Sequence, residues 1–221
     1  MATFCHQVVN GEEPTIVNDG LVKLIYVNEL VEEIKKIITN EVTGKLDIPH
    51  RHEILVSQLS AKLKQFRLEY MEKGEFPNIE NQLDLALFNM FRCYIPHDFY
   101  PRPFTKHTDP RGSFVEIVRA NTKGQFSFST TKPGITRGNH FHTRKAERFA
   151  IIKGKGKIEL RKIDTDEVIE YIIDGEEPAY VDMPIWHTHN ISNIGDEVMI
   201  ALFWINEPYD HEDPDTYFVN V

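Results

Sequence analysis

Apolar residues return every three or four positions in VNELVEEIKKII (27–38), ILVSQLSAKLKQFRLEYM (54–71) and NQLDLALFNMF (81–91), the spacing of helices that bury one face. Asn28 stands where the N-cap of the first helix is expected. Just ahead of it, LVKLIYV (21–27) is rich in β-branched residues, follows the turn signal NDG and reads as one strand. The period changes after the proline-marked stretch YIPHDFYPRPF (94–104), which reads as a linker or extended arm. From residue 111 on, short strand-like runs alternate with tight turns: GSFVEIVRA, QFSFSTT, ERFAIIKG, GKIELRKI, EVIEYIID, AYVDMP, HTHNISN and EVMIALFWINE, with KPG, GKG, DTD, DGEEP and IGDE between them. Strands at that spacing close into a sandwich or small barrel, with a jelly roll as one natural solution. The expected fold class is therefore α+β, a mainly helical segment over 1–105 followed by an all-β domain over 106–221.

Within that all-β half, Trp186, Phe203 and Trp204 are expected to fill the core, and Gly154 and Gly156 to supply positive φ in a turn. The hydrophobic share, 41% of 221 residues, is ordinary for a chain that buries a real core. A formal net charge of -9 argues against non-specific nucleic-acid binding, though a local basic pocket for a small anion remains compatible with it. Cys5 and Cys93 are too few for a disulfide framework and lack the C-x-x-C spacing of a zinc or redox motif. No apolar run reaches the roughly 20 residues of a membrane span, and MATFCHQVVNGEEP does not read as a signal segment, so a cytoplasmic location is expected. In the first half, His6, His50, His52 and His97 have no repeated spacing with an acidic partner and read as solvated or capping residues.

The stretch GITRGNHFHTRKAERFAIIKG (134–154) changes the picture. In a strand, residues two apart share a face, so His140 and His142 can aim inward together with Phe141 turned away. Glu147 can return beside them after a short turn, and His189 in MPIWHTHNISN offers a third imidazole from a distant strand. Three neutral nitrogens and one carboxylate suit a divalent transition metal.

The whole constellation resembles the cupin family. Its first motif, G-x5-H-x-H-x3,4-E-x6-G, is met by Gly134, His140, His142, Glu147 and Gly154, and its second, P-x-G-x2-H-x3-N, by Pro184, His189 and Asn193, with Trp186 in place of the glycine. HTDPRGSFVEI followed by STTKPGITRGNHFH is also similar to the entry region of the deoxysugar-nucleotide 3,5-epimerases. That likeness implies substrate contacts in the D-x-R-G-x-F segment at Asp109, Arg111, Gly112 and Phe114, matches Arg137, Gly138 and His140 to an R-G-x-H motif, and makes His140 a base where the cupin likeness makes it a ligand. Over nearly its full length the chain resembles the C-terminal part of the bifunctional capsular-polysaccharide-assembling enzymes, which act on UDP-2-acetamido-2,6-dideoxy sugars. Residues 3 to 40 resemble the substrate-side end of their short-chain reductase domain, and 106 to 221 their zinc-containing cupin domain.

The resemblance implies epimerisation at C3 of a UDP-linked 4-keto sugar, with zinc as the expected metal. His142, Glu147 and His189 are the favoured ligands, and His140 either completes the set or serves as base. Lys145 and Arg148 join Arg111 and Arg137 as candidates for the pyrophosphate, because guanidinium and ammonium groups match phosphate oxygens. His187 and Tyr180 flank the second motif as candidates for the opposing acid. A glycine-rich dinucleotide turn and a Y-x3-K pair are both missing, so no nicotinamide cofactor and no C4 reduction are expected of this chain alone. Two other readings stand beside this one: a non-catalytic sugar-nucleotide-binding cupin that partners a reductase, and a metal-dependent dioxygenase. A homodimer is expected, because a strand-rich half otherwise leaves open sheet edges.

Overall fold

The computed structural model describes residues 1–120 and 124–221. The chain divides into two compact units, Met1–Pro101 and Arg102–Val221. The first contains α1 (Ala2–Val9), β1 (Leu21–Leu24), α2 (Val27–Thr39), β2 (His52–Leu55), α3 (Val56–Phe66) and α4 (Gln82–Arg92). Its core joins Cys5 and Val8 of α1 to Leu59, Leu63 and Phe66 of α3 and Leu87, Phe88 and Phe91 of α4. Several local expectations are corrected here. The strand at 21–27 stops at Leu24, whose register partner is His52, and the helix cap falls on Tyr26 rather than Asn28. Glu29 sets that boundary by accepting the Tyr26 N–H at 3.0 Å. Ile54 and Leu55 belong to β2, not to the helix that follows, and that helix ends in a π-helical segment, Arg67–Lys73. The α2 stripe of Val27, Val31, Ile34 and Ile38 is exposed. The two cysteines are free, Cys5 buried and Cys93 exposed.

The second unit holds β3 (Lys106–Asp109), β4 (Gly112–Arg119), β5 (Gln125–Thr131), β6 (Thr136–Phe141), β7 (Glu147–Lys153), β8 (Lys155–Lys162), β9 (Val168–Asp174), β10 (Ala179–Met183), β11 (His187–Asn193), β12 (Met199–Ile205) and β13 (Tyr217–Phe218). These strands form a six-stranded sheet in the order β10-β7-β12-β5-β4-β3 and a five-stranded sheet in the order β13-β6-β11-β8-β9. Neighbours in both are antiparallel. Phe149, Ile151, Met183, Met199 and Ala201 from the first sheet meet Ile158, Leu160, Ile173 and Ile191 from the second in one core. This is the jelly-roll sandwich of the cupin fold. All eight strand-like runs read from the sequence are strands; β6 is marked in the sequence only by its His-x-His spacing, and β3 and β13 have no apolar alternation to show them.

Expectations for three residues, Trp186, Trp204 and Gly156, change. Trp186 and Trp204 are 48% and 46% exposed rather than core residues, while Phe203 packs partly buried against the core. Gly154 does adopt a left-handed φ of 76°, but Gly156 does not, and it is glycine for space because a Cβ there would run into Ile151 and Met199. On β5 the polar residues face inward: Gln125, Ser127, Ser129 and Thr131 are buried, while Phe126 and Phe128 lie on the opposite face.

Candidate metal centre

His140 on β6 lies in register opposite His189 on β11, which places two imidazoles side by side within the five-stranded sheet. β6 ends at Phe141, so His142 is one step past it, held by the Trp186 N–H donating to its carbonyl at 2.9 Å. Trp186 stands where the cupin motif has glycine, and it takes the left-handed conformation that glycine would, with φ of 60°. Glu147 opens β7 in the other sheet, so the site closes across the sandwich. The backbone at Gly138 must pass close to β11. Its φ is 97°, and a Cβ there would stand 2.8 Å from the His189 carbonyl oxygen.

One ligand atom from each of His140, His142, Glu147 and His189 falls within 4.8 Å of the others. His142 is 4% exposed and His189 1%, while His140 and Glu147 keep some access to solvent. The Nδ1 of His142 meets the Asp215 carbonyl, and the Nδ1 of His189 meets the His187 carbonyl at 3.2 Å. A carbonyl only accepts, so both Nδ1 atoms carry hydrogen and both Nε2 atoms present lone pairs. Those two Nε2 atoms stand 3.0 and 3.2 Å from Glu147 Oε2, and all three atoms are buried without a hydrogen-bond partner. Three converging lone pairs repel unless a positive charge sits among them. The donor set therefore fits a metal ion.

The same demand for positive charge appears in protonation. Burial opposes the charged imidazole of His142, yet the Glu147 carboxylate raises it above the ordinary histidine value. Burial would raise the carboxyl of Glu147, but His142 and His189 hold it down at about 2. His140 goes the other way: burial, reinforced by His189, pushes it down to about 4, so it is neutral at physiological pH.

The remaining sequence candidates separate into those near the centre and those away from it. Asp109, Arg111 and Arg137 form a triad, with Arg111 2.6 Å and Arg137 3.6 Å from the Asp109 carboxylate. Arg137, three residues before His140, reaches across to the Thr130 carbonyl and Thr131 hydroxyl of the opposite sheet. Phe114 begins a run of ring contacts to Phe203 at 6.3 Å, on to Phe149 at 4.6 Å and His189 at 5.4 Å. Lys145 is 2% exposed between the two ligand-bearing segments, its Nζ 5.9 Å from the Tyr209 ring centroid. His187 shares the face of His189 two residues on, its Nδ1 donating to the Ile185 carbonyl at 3.0 Å.

Arg148 and Tyr180 are not brought to the centre. Arg148 alternates with Glu147 and so lies on the outer face of its sheet, where it pairs with Asp182 at 2.6 Å and stacks 3.8 Å over Tyr180. The residue that sequence reasoning missed is Asp215, 3% exposed, whose carboxylate accepts the N–H groups of Thr143, Arg144 and Lys145. Its segment, DPDTYFVNV, has no periodicity or ligand spacing that marks it.

An antiparallel jelly roll that gathers three imidazoles and one carboxylate between its sheets defines a cupin with a transition-metal donor set. Residues 107–217 match the family described as the polysaccharide biosynthesis C-terminal domain, and the chain belongs to that family. It is 33% identical over its whole length to the UDP-2-acetamido-2,6-beta-L-arabino-hexul-4-ose reductase of Pseudomonas aeruginosa, of which it spans 60%. The crystal structure of the capsular polysaccharide assembling protein CapF from Staphylococcus aureus superposes with a TM-score of 0.88 at 34% identity, covering 99% of this chain and 60% of that one. A probable low-salt glycan biosynthesis epimerase, Agl13 of Haloferax volcanii, is 26% identical over 131 residues, 54% of this chain and 84% of its own length.

Proposed function

We propose that this chain is a metal-dependent sugar-nucleotide epimerase that acts at C3 of a UDP-linked 2-acetamido-2,6-dideoxy-4-keto hexose, supplying capsule or O-antigen precursors. The observation that carries it is the cluster of three buried lone pairs beside a neutral, more accessible imidazole. His142, Glu147 and His189 would hold the metal, and zinc suits a set of imidazoles with one carboxylate. Bound there, the ion supplies Lewis acidity toward the C4 carbonyl oxygen. His140 contributes a ring nitrogen that is unprotonated at working pH and can take the weakly acidic C3 proton. His187, on the same face, is the candidate for returning a proton from the other side of the sugar; Tyr180 faces away. The Asp109–Arg111–Arg137 triad carries two positive charges against one negative, which leaves one charge for a phosphate. Phe114 stands two residues along β4 from Gly112, the register partner of Asp109, and connects to the metal site through Phe203 and Phe149.

The names of the relatives support the substrate class, since one is a reductase of a UDP-linked hexulose and another is named a probable epimerase of glycan biosynthesis. A homodimer in the cytoplasm completes the reading. The outer face of the six-stranded sheet carries Phe126, Phe128, Ile152, Leu202 and Trp204, an apolar surface suited to a second copy. Among the described residues no helix is long and apolar enough to cross a membrane. The deciding experiment incubates the purified chain, its metal content measured, with the UDP-4-keto sugar in deuterated water. Stoichiometric zinc with deuterium entering C3 is the expected result. Stoichiometric metal without exchange would leave a sugar-nucleotide-binding module, and light scattering at a monomer mass would remove the dimer.

A further inference from the structure

We infer that the C-terminal segment 213–221 is a clamp on the metal centre, with Asp215 as the positioning residue that sets it. The inference rests on the metal reading above. Asp215 holds the loop that leaves His142 toward Glu147 through both its backbone and its side chain. Its backbone carbonyl takes the Nδ1–H of His142, which leaves the Nε2 lone pair of that ring aimed at Glu147. Its carboxylate accepts three successive N–H groups, from Thr143 at 3.1 Å, Arg144 at 3.0 Å and Lys145 at 3.1 Å, together with the Thr143 hydroxyl. Those residues make up nearly the whole connection from His142 to Glu147.

The rest of the segment ties down the other two imidazoles. Tyr217 stacks on Phe141 at 5.1 Å, and Phe218 packs 6.2 Å from the His140 ring. The Val219 N–H donates to the Asn139 carbonyl at 3.1 Å on β6, and its carbonyl accepts the hydroxyl of Thr188, the neighbour of His189 on β11. One segment thus touches the backbone or ring next to each of the three histidines. Coupling of this kind is reciprocal: what holds the ligands in place favours the metal, and the metal in turn favours the docked segment.

The test uses the full chain, with zinc affinity measured by competition against a chromophoric chelator and the ligand-field absorption of cobalt(II) as a second readout. Asp215→Asn places an NH2 group against N–H donors, and we expect zinc to bind about 10–100-fold more weakly with a shifted cobalt spectrum. In the wild type, zinc should slow hydrogen exchange at the Arg144, Lys145 and Val219 amides, and less so in the variant. Circular dichroism of the metal-free variant checks its fold. Should Asp215→Asn fail to fold, Thr143→Val decides, since it removes a single hydroxyl from the same contact, and a several-fold weakening is expected. A folded variant with wild-type affinity and an unchanged cobalt spectrum overturns the clamp. A wild-type chain that takes up neither metal overturns the metal reading itself, and the clamp with it.

Discussion

Adding zinc to the metal-free chain should raise the melting temperature of the unit Arg102–Val221 by an amount the site geometry allows one to work out. The three buried donor atoms, Nε2 of His142 and His189 and Oε2 of Glu147, exist only in the folded state, so binding free energy becomes folding free energy. At a free zinc concentration about 1,000 times Kd the stabilisation is about 4 kcal/mol. A unit of about 120 residues has an unfolding entropy near 0.25 kcal/mol/K, so the melting temperature should rise by about 16 °C. Tryptophan fluorescence reads this unit alone, because both tryptophans, Trp186 and Trp204, lie in it. His189→Ala removes one of the three donors; a 100-fold weaker site loses about 2.7 kcal/mol of that stabilisation, cutting the shift to roughly 5 °C. Magnesium, which prefers oxygen ligands, should do far less than zinc. An equal zinc shift in the wild type and in His189→Ala would place the metal elsewhere and refute the assignment, and so would a magnesium shift as large as that of zinc.

Three further outcomes follow from the same geometry. Gly138→Ala should destabilise the chain by about 2–4 kcal/mol in denaturant titrations and weaken zinc binding at least tenfold, because the new methyl meets the backbone of His189 and the φ of 97° is hostile to alanine; stability within 0.5 kcal/mol of the wild type would contradict this. Arg148→Ala should leave metal affinity and C3 exchange unchanged, since the side chain lies on the outer face with Asp182; a rise in KM would show that the outer face takes part in binding. In the metal-free chain, His140 refuses a proton until pH falls to about 4, whereas the unfolded chain takes one near 6.5, so stability attributable to His140 is lost as pH falls between those values. The stability difference between wild type and His140→Asn should therefore change by about 3 kcal/mol from pH 7 to 4, and parallel pH profiles would rule the idea out.

The strands around the metal centre were legible because their signal is local. His140 and His142 sit two apart, Glu147 follows five residues later, and alternation along QFSFSTT or ERFAIIKG survives whatever packs on either side. The errors fall where a tertiary partner decides. Tyr26 rather than Asn28 caps α2 because the Glu29 carboxylate reaches back to its N–H, and LVKLIYV stops pairing at Leu24 because β2 offers no partner beyond His52. Trp186 reads as core by its size, yet it holds the left-handed turn whose N–H fixes the His142 carbonyl and so remains half exposed. Arg148 reads as a phosphate ligand because a guanidinium matches phosphate oxygens, but it follows Glu147 directly, and in a strand adjacency means opposite faces.

The hardest part to read is also the part on which the site leans. Asp215 lies 73 residues from His142 in sequence, on a short segment where only Tyr217–Phe218 pairs as a strand, and apart from the Thr143 hydroxyl its carboxylate binds backbone amides that every sequence possesses. A carboxylate that binds amides leaves no partner residue type for a motif to specify, whereas a carboxylate that binds a metal requires histidines at fixed spacing. First-contact ligands are therefore visible to sequence reasoning, and the groups that aim them are not. The division has a physical consequence for this chain. Replacing a ligand such as His189 removes a donor outright, while replacing Asp215 leaves all three donors in place and changes only how well they converge. Metal affinity should respond to both, but the cobalt spectrum should separate them: a lost donor changes the coordination set, and a loosened clamp distorts a set that is still complete.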